Sequence, residues 1–448
     1  MDNEAVSGLG AKLDRSPVSR RRLLGGTAGL ALAATVPALA NPGGASAQED
    51  VTVVYKTHEH PPAVAFNNTM VTEFEAANPG ITIAYEAVPY PNLEQGLFTS
   101  FAGGDGWDLF WSGDWLMPQF FENEILSPFD PAAFGVASAE ELIGMYPPGA
   151  LEAFIKDGTL YSGGISEFNT FSLVYNPDHF AAAGIPPLSE TEPATWEQIA
   201  EYAKLLAKVD ADGKRTRNAL VWAFTANVWA PLIAEPMVRQ LGGELVDPTT
   251  GEVLFTSPEV VKTMSYIGEL GKQGSIDPAF FVELNEDFAN ERTSMTIAGP
   301  WAIPAIRAVN PEATIAIAPL PVFEGGTRTT TLYSWGWFVG NQSSPATQQA
   351  AWKFLGHITA QGKRWWDEAG FIMPRNEGQE GIEDLAAYRN ESEPLLKVFN
   401  DDFAHGKYMF RSTRFYEIAT ALMRVFALVL EGEDAEQALK DAQDELAV

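Results

Sequence analysis

Cysteine is absent from all 448 residues, which excludes disulfide staples, thiolate metal sites and a catalytic thiol. Basic residues are few: 29 Lys and Arg stand against 59 Asp and Glu, a formal net charge of −30. So acidic a surface repels phosphate backbones and anionic headgroups, which disfavours nucleic-acid binding and peripheral membrane attachment. Histidine is also scarce, with five residues. Beyond residue 40 no apolar run approaches the roughly 18 to 20 residues that a membrane-spanning helix needs. Neither a Gly-x-Gly-x-x-Gly nor a Walker loop is present, and nothing in the sequence calls for a bound cofactor.

What is present begins with an export signature. Ser19-Arg20-Arg21-Arg22-Leu23-Leu24 leads into Gly25-Gly26 and an apolar stretch to Ala40, with small residues at 38 to 40 and 45 to 47. A basic segment, an apolar core and a small-residue cleavage site make a signal peptide rather than an anchor. Paired arginines before leucines point to the twin-arginine type, with an ordinary Sec signal as the alternative. Cleavage is expected after Ala47, or after Ala40. Removing residues 1–47 leaves 24 basic against 56 acidic residues, a net charge of −32. With no cysteine to lipidate, the expected product is an untethered, soluble periplasmic protein without direct membrane insertion.

About 400 residues exceed what one core usually supports, so two domains are expected. β-Branched runs alternate with helical spacing. Val51-Thr-Val-Val-Tyr55, Ile81-Thr-Ile-Ala-Tyr85 and Trp107-Asp-Leu-Phe-Trp111 read as strands, with helices over about 62–78 and 91–102 between them. The pattern resumes with strands at 172–175, 219–223, 294–297, 314–317 and 335–339. Thr195-Trp-Glu-Gln198 opens a helix in the manner of a capping box, and 258–272 and 415–446 are helical, the last broken near Gly432. This alternation argues for βαβ units around mostly parallel sheets in two interleaved α/β lobes.

Four segments carry a resemblance. Thr296-Ile-Ala-Gly-Pro-Trp301, Gly104-Asp-Gly-Trp-Asp-Leu-Phe-Trp111 with Asp114, Ser172-Leu-Val-Tyr-Asn-Pro-Asp-His-Phe180 and Ala438-Leu-Lys-Asp-Ala-Gln443 follow one another through nearly the whole mature chain. In these the chain resembles the carbohydrate-type extracellular solute-binding proteins of ABC importers, the maltodextrin-binding proteins in particular. The resemblance implies the two-lobed periplasmic-binding-protein fold of type II, with hinge strands between the lobes and closure on a ligand in the cleft. It places 48–160 and 311–370 in the N-terminal lobe, and 161–310 and 371–448 in the C-terminal lobe.

Sugars offer hydroxyl edges and C–H faces, so their receptors combine carboxylates or amides with aromatic rings. By family position, Trp111 would stack on a sugar and Asp114 would accept its hydroxyls; the other readings are a core tryptophan and a helix cap. Trp115 replaces a basic residue of maltodextrin binders, which leaves the particular sugar open. Trp301, just past Gly299-Pro300, is expected to project into the cleft. His58-Glu59-His60 follows the first strand; family position suggests Glu59 and His60 for hydroxyls, against half a metal site. Asn169, Asn227 and Trp229 resemble second-lobe contacts, against turn asparagines and a core tryptophan. Ser334, Trp335 and Tyr416 are further candidates. Arg411 would pair with a ligand acid or with the lobe's own carboxylates.

The expected function is a periplasmic, monomeric receptor that captures a mono- or oligosaccharide, closes, and docks on a membrane permease, without catalysing a reaction. Two other classes stay open. Glu59 and Asp114 would be the acid and nucleophile of a secreted glycosidase. The same fold would also serve a polyamine or other small solute, because a cation rests well on an aromatic face.

Overall fold

The structure, a computed structural model, describes residues 50–224, 226–375 and 385–447. The expected export segment and its cleavage sites lie outside the described residues. No helix among the described residues is long and apolar enough to cross a membrane.

Among the described residues thirteen strands follow in chain order: β1 (Val51–His58), β2 (Ile81–Val88), β3 (Leu109–Gly113), β4 (Ile155–Lys156), β5 (Thr159–Leu160), β6 (Ile165–Thr170), β7 (Ser172–Tyr175), β8 (Lys208–Val209), β9 (Arg215–Val221), β10 (Thr293–Ala298), β11 (Ala316–Ala318), β12 (Thr330–Val339) and β13 (Gly406–Tyr408). Two sheets carry the fold. One has the order β13-β12-β3-β1-β2, with β6 on the other edge of β12; the second has the order β11-β7-β10-β9-β8. Parallel pairing holds for β1 with β2 and β3, for β9 with β10, and for β12 with β13. The remaining pairs within these two sheets are antiparallel, so both sheets are mixed.

Local sequence explains the elements. The helix Pro61–Ala77 has proline in its first turn and buries Ala63, Phe66, Met70 and Phe74, one stripe at helical spacing. Gly80, at φ +91°, then turns the chain into β2. The capping box at Thr195 is present, with Gln198 answering it, at the start of the helix Trp196–Leu206. The C-terminal tail forms the helices Phe415–Leu430 and Ala435–Leu446, separated at Gly432, whose φ is +102°. β3 starts at Leu109 rather than Trp107, and just before it the Asp108 carboxylate accepts the backbone N–H of Val54 at 2.7 Å and the hydroxyl of Ser343 at 2.5 Å.

Two crossings link the sheets. β6 belongs to the first and β7 to the second, and only Phe171 separates them. β12, ten residues long and buried throughout, is the spine: β6 lies along one edge, β3 and β13 along the other. β11 pairs with β7 in the second sheet although the boundary expected at residue 311 assigns it to the first lobe. Likewise β13 joins the first sheet, against an expected boundary at 371. The return between sheets therefore falls between β11 and β12, and the chain touches the first sheet again near its C-terminus.

Candidate ligand-binding site

Four parallel strands end in loops that bear on the site. The parallel strands β1 and β3 finish at His58 and Gly113; β9 and β10 finish at Val221 and Ala298. Loops beyond the carboxyl ends of parallel strands are where α/β folds collect ligand groups. β6 and β12 run between them, with Tyr333 opposite Asn169 and Trp335 opposite Glu167.

The first-sheet side is aromatic. Trp111 is 1 % exposed, and its ring stacks on His58 at 4.6 Å between centroids with an interplanar angle of 14°. Trp335 lies 5.3 Å from Trp111 and meets Trp115 edge-on at 5.2 Å. Tyr90, half-buried at the start of the helix Tyr90–Ala102, touches both His58 and Trp335. The Trp115 indole donates to Glu94 Oε1 at 3.0 Å. Gly113 makes room for that ring: a Cβ there would collide with the Trp115 indole.

At the crossing, polar groups take over. Asn169 Nδ2 donates to the Glu167 carboxylate and to the Tyr333 hydroxyl, the latter at 3.3 Å. The Trp301 indole also donates to Tyr333, at 2.6 Å. That contact needs Gly299, where a Cβ would stand 2.5 Å from Trp301 Nε1 and 3.0 Å from the Tyr333 oxygen. A phenol that accepts two N–H groups keeps its own proton for a third partner. Trp229 extends the group, edge-on to Trp301 at 6.1 Å and stacked on Phe171 at 5.5 Å. Five buried polar atoms on four residues in and around this group have no hydrogen-bond partner in the protein: Trp111 Nε1, Asn169 Oδ1, Ser334 Oγ and both nitrogens of His60. Buried polar groups in folded proteins are nearly always satisfied by protein or water, so these atoms are open to a water or to an outside partner.

Burial governs the ionisable groups. Desolvation raises Glu167 to about 8, and the Asn169 amide only partly offsets it. Half-buried Glu94 rises to about 7 for the same reason, opposed by the Trp115 indole. Desolvation lowers His58 to about 4 and His60 to about 3, so both imidazoles are neutral. Tyr90 and Tyr333 are pushed well above the usual phenol range, first by burial and then by neighbouring carboxylates.

The structure thus joins Trp111, Trp115, Trp335, Ser334, Asp114, Asn169, Trp229, Trp301 and Arg411 into one contiguous group. Asp114 caps no helix through its side chain. Its carboxylate accepts the Ser334 backbone N–H at 3.0 Å and pairs with Arg411 at 2.5 Å, so the arginine meets one of the fold's own carboxylates. Glu59 is exposed, and His60 packs on Phe371 at 4.6 Å. Asn227 donates to Thr420 at 2.8 Å on the helix that carries Tyr416. His58, Tyr90, Glu94, Glu167 and Tyr333 were not among the expected site residues. The signals were period two for Glu167, which shares a strand face with Asn169, and the i, i+4 spacing of Tyr90 and Glu94.

Residues 31–365 match the model of the bacterial extracellular solute-binding protein family. The chain belongs to that family. A binding protein of Brucella abortus (strain 2308) is 26 % identical over 270 residues, 57 % of this chain and 60 % of the relative. The chain thus spans about three-fifths of the length of the curated relatives it matches first. Among solved structures, an ABC substrate-binding protein from Listeria monocytogenes in complex with cycloalternan has a TM-score of 0.73 at 20 % identity, covering 89 % of this chain and 98 % of that one. An ABC transporter solute-binding protein from Thermotoga lettingae bound with α-D-tagatose has a TM-score of 0.75, also at 20 % identity, covering 88 % and 98 %. At this identity the likeness shows the fold: two lobes in the manner of ABC solute-binding proteins, as the family membership also implies.

Proposed function

We propose that this solute-binding protein is the exported receptor of an ABC importer, that it captures a mono- or oligosaccharide between its two lobes, and that it then closes and docks on its permease. The concentration of unpartnered buried polar atoms among aromatic rings carries this reading. Tyr333 supplies a donor and Asn169 Oδ1 an acceptor, while half-buried Trp301 and Tyr90 offer faces for C–H surfaces. Phe171 between β6 and β7, and the passage from β11 to β12, are the natural hinges, because they are the points at which the chain changes sheet. Asp114 serves as a brace that holds Ser334 and Arg411 in place. The twin-arginine segment and the extracellular character of the family support export to the periplasm.

Calorimetric titration with a panel of neutral and amino mono- and oligosaccharides tests the reading. Stoichiometric binding of at least one sugar, with a rise in melting temperature from linkage to the native state, is expected. A panel that yields neither heat nor a thermal shift sinks it. Release of reducing sugar from an oligosaccharide would favour the glycosidase instead, but the pair considered for that chemistry is poorly prepared: Glu59 is exposed, and Asp114 is committed to Arg411.

A further inference from the structure

Six carboxylates are buried among the described residues: Asp114, Glu167, Glu235, Asp287, Glu393 and Asp402. Five are paired with a guanidinium. Asp114 meets Arg411 at 2.5 Å, Glu235 meets Arg239 at 2.6 Å, Asp287 meets Arg292 at 2.7 Å and Asp402 meets Arg328 at 2.8 Å. Glu393 meets Arg307. Glu167, 2 % exposed, is the exception: its contact is the neutral Asn169 amide, and no basic side chain offsets its burial. A buried carboxylate without a cation is costly to keep charged, so a fold that pairs five of six has left the sixth for a partner it does not itself contain.

The surroundings of Glu167 say what that partner offers. Asn169 turns its nitrogen toward Glu167 and Tyr333, which leaves Oδ1 buried and unpartnered beside the carboxylate. Two acceptors side by side suit a group with several N–H donors and no acceptor, as an ammonium has. The charges of Glu94 and Glu167 both act on Tyr90, so a second carboxylate adds negative potential to the same space. The half-buried Trp301, hydrogen-bonded to the Tyr333 hydroxyl in this network, offers an aromatic face on which a cation is stabilised.

We infer that the ligand is a sugar bearing a protonated amino group, and that this ammonium takes at Glu167 the place the arginines take at the other buried carboxylates. This rests on the sugar-receptor reading and narrows it. Glu167, which gives up on binding the proton that burial lets it hold, and Asn169 Oδ1 receive the ammonium; the Tyr333 hydroxyl serves a ring hydroxyl.

The test is calorimetry at neutral pH on the purified protein with D-glucosamine, D-galactosamine and the disaccharide of glucosamine. Each is set against its neutral parent sugar and its N-acetylated form, which remove the charge in two different ways. At least one amine is expected to bind about tenfold or more tightly than both uncharged counterparts, the scale of a desolvated charge-assisted contact. Glu167→Gln is expected to bring the three forms within about threefold of one another. Equal affinity for the neutral or acetylated sugar overturns the inference, since it means that Glu167 keeps its proton in the complex and donates it to an ordinary hydroxyl. Absence of binding by any amine, or an amine preference that survives Glu167→Gln, overturns it as well. If the variant fails to fold, the ranking by the unmodified protein decides. Binding of putrescine or spermidine, abolished by Glu167→Gln and without binding of any sugar, would sink the sugar reading and leave the cation at Glu167 standing.

Discussion

Asp114 and Glu167 flank the same strand, β12, and the fold treats them in opposite ways. Asp114 gives one oxygen to the backbone of Ser334 and the other to Arg411, so its charge is answered within the protein. Glu167 lies opposite Trp335 in the neighbouring strand and meets an amide, with its carboxyl pushed up to about 8 by burial. Removal of a partner from a satisfied buried pair damages the fold, whereas removal of charge from an unsatisfied carboxyl need not. The first arrangement is architecture. The second belongs to the ligand, and four experiments break or sharpen that division.

The largest effect is expected at Asp114. Asp114→Ala strands the guanidinium of Arg411 and the N–H of Ser334, and should lower stability by about 3 kcal/mol, somewhat less than for a fully buried pair because Arg411 is partly solvated. Urea unfolding of the ligand-free protein measures it. A loss under about 1 kcal/mol would mean that the pair is not a brace.

Next in size is the dependence of stability on pH. Glu167 is raised from 4.5 to about 8, so the folded state holds a proton that the unfolded state has released; stability falls as pH rises through that interval. His58 and His60 are lowered from 6.5 to about 4 and about 3, so the unfolded state binds protons that the folded state refuses; stability falls as pH drops below 6.5. Between 4.5 and 6.5 the two effects oppose each other: Glu167, with Glu94 and Glu235 raised to about 7, sets three protons against two for the imidazoles, so only a shallow net fall with rising pH is expected there. Above 6.5 the decline from these carboxyls stands alone, and the share of Glu167 in it should reach about 2 kcal/mol by pH 8. Glu167→Gln should shrink this decline and leave the acid limb unchanged. An alkaline limb that is the same in the variant would remove Glu167 from the account.

Much of this fold was legible in the sequence, because periodicity and terminators are local. The helix Pro258–Lys272 and the strand Ser172–Tyr175 fall where their apolar spacing predicts, and Gly432 breaks the C-terminal helices. The lobe boundaries were less legible: β11 and β13 are three-residue strands whose sheet is decided by long-range pairing. The site divided in the same way. Trp111, Asn169, Trp301 and Trp335 stand out as residue types, and the structure gathers them. Glu167 and Tyr333 do not stand out, because what distinguishes them is the absence of an arginine and the convergence of two N–H donors, and neither is a property of a short stretch of chain.

A smaller effect is expected at Trp301. Trp301→Phe keeps a ring and removes the N–H donated to Tyr333, which should lower stability by about 1 kcal/mol. Ligand affinity should fall about three- to tenfold, since Tyr333 is then less firmly aimed, and calorimetry on the variant reads both the loss and its enthalpy. An affinity unchanged by this substitution would put Tyr333 outside the site and weaken the polar half of the comparison.

The smallest effect is expected at Glu59, and it is the most discriminating for its size. Family position suggests a hydroxyl contact there, yet its side chain is exposed, while its backbone N–H donates to Val88 at 3.0 Å. Substitution of an exposed residue away from caps and ion pairs usually changes stability by less than about 0.5 kcal/mol. Glu59→Ala should therefore leave both the unfolding midpoint and the ligand affinity where they were. A tenfold loss of affinity with unchanged stability would show that closure brings Glu59 onto the ligand. The negative side of the site would then extend from Glu167 to the end of β1, with Asp114 still braced against Arg411.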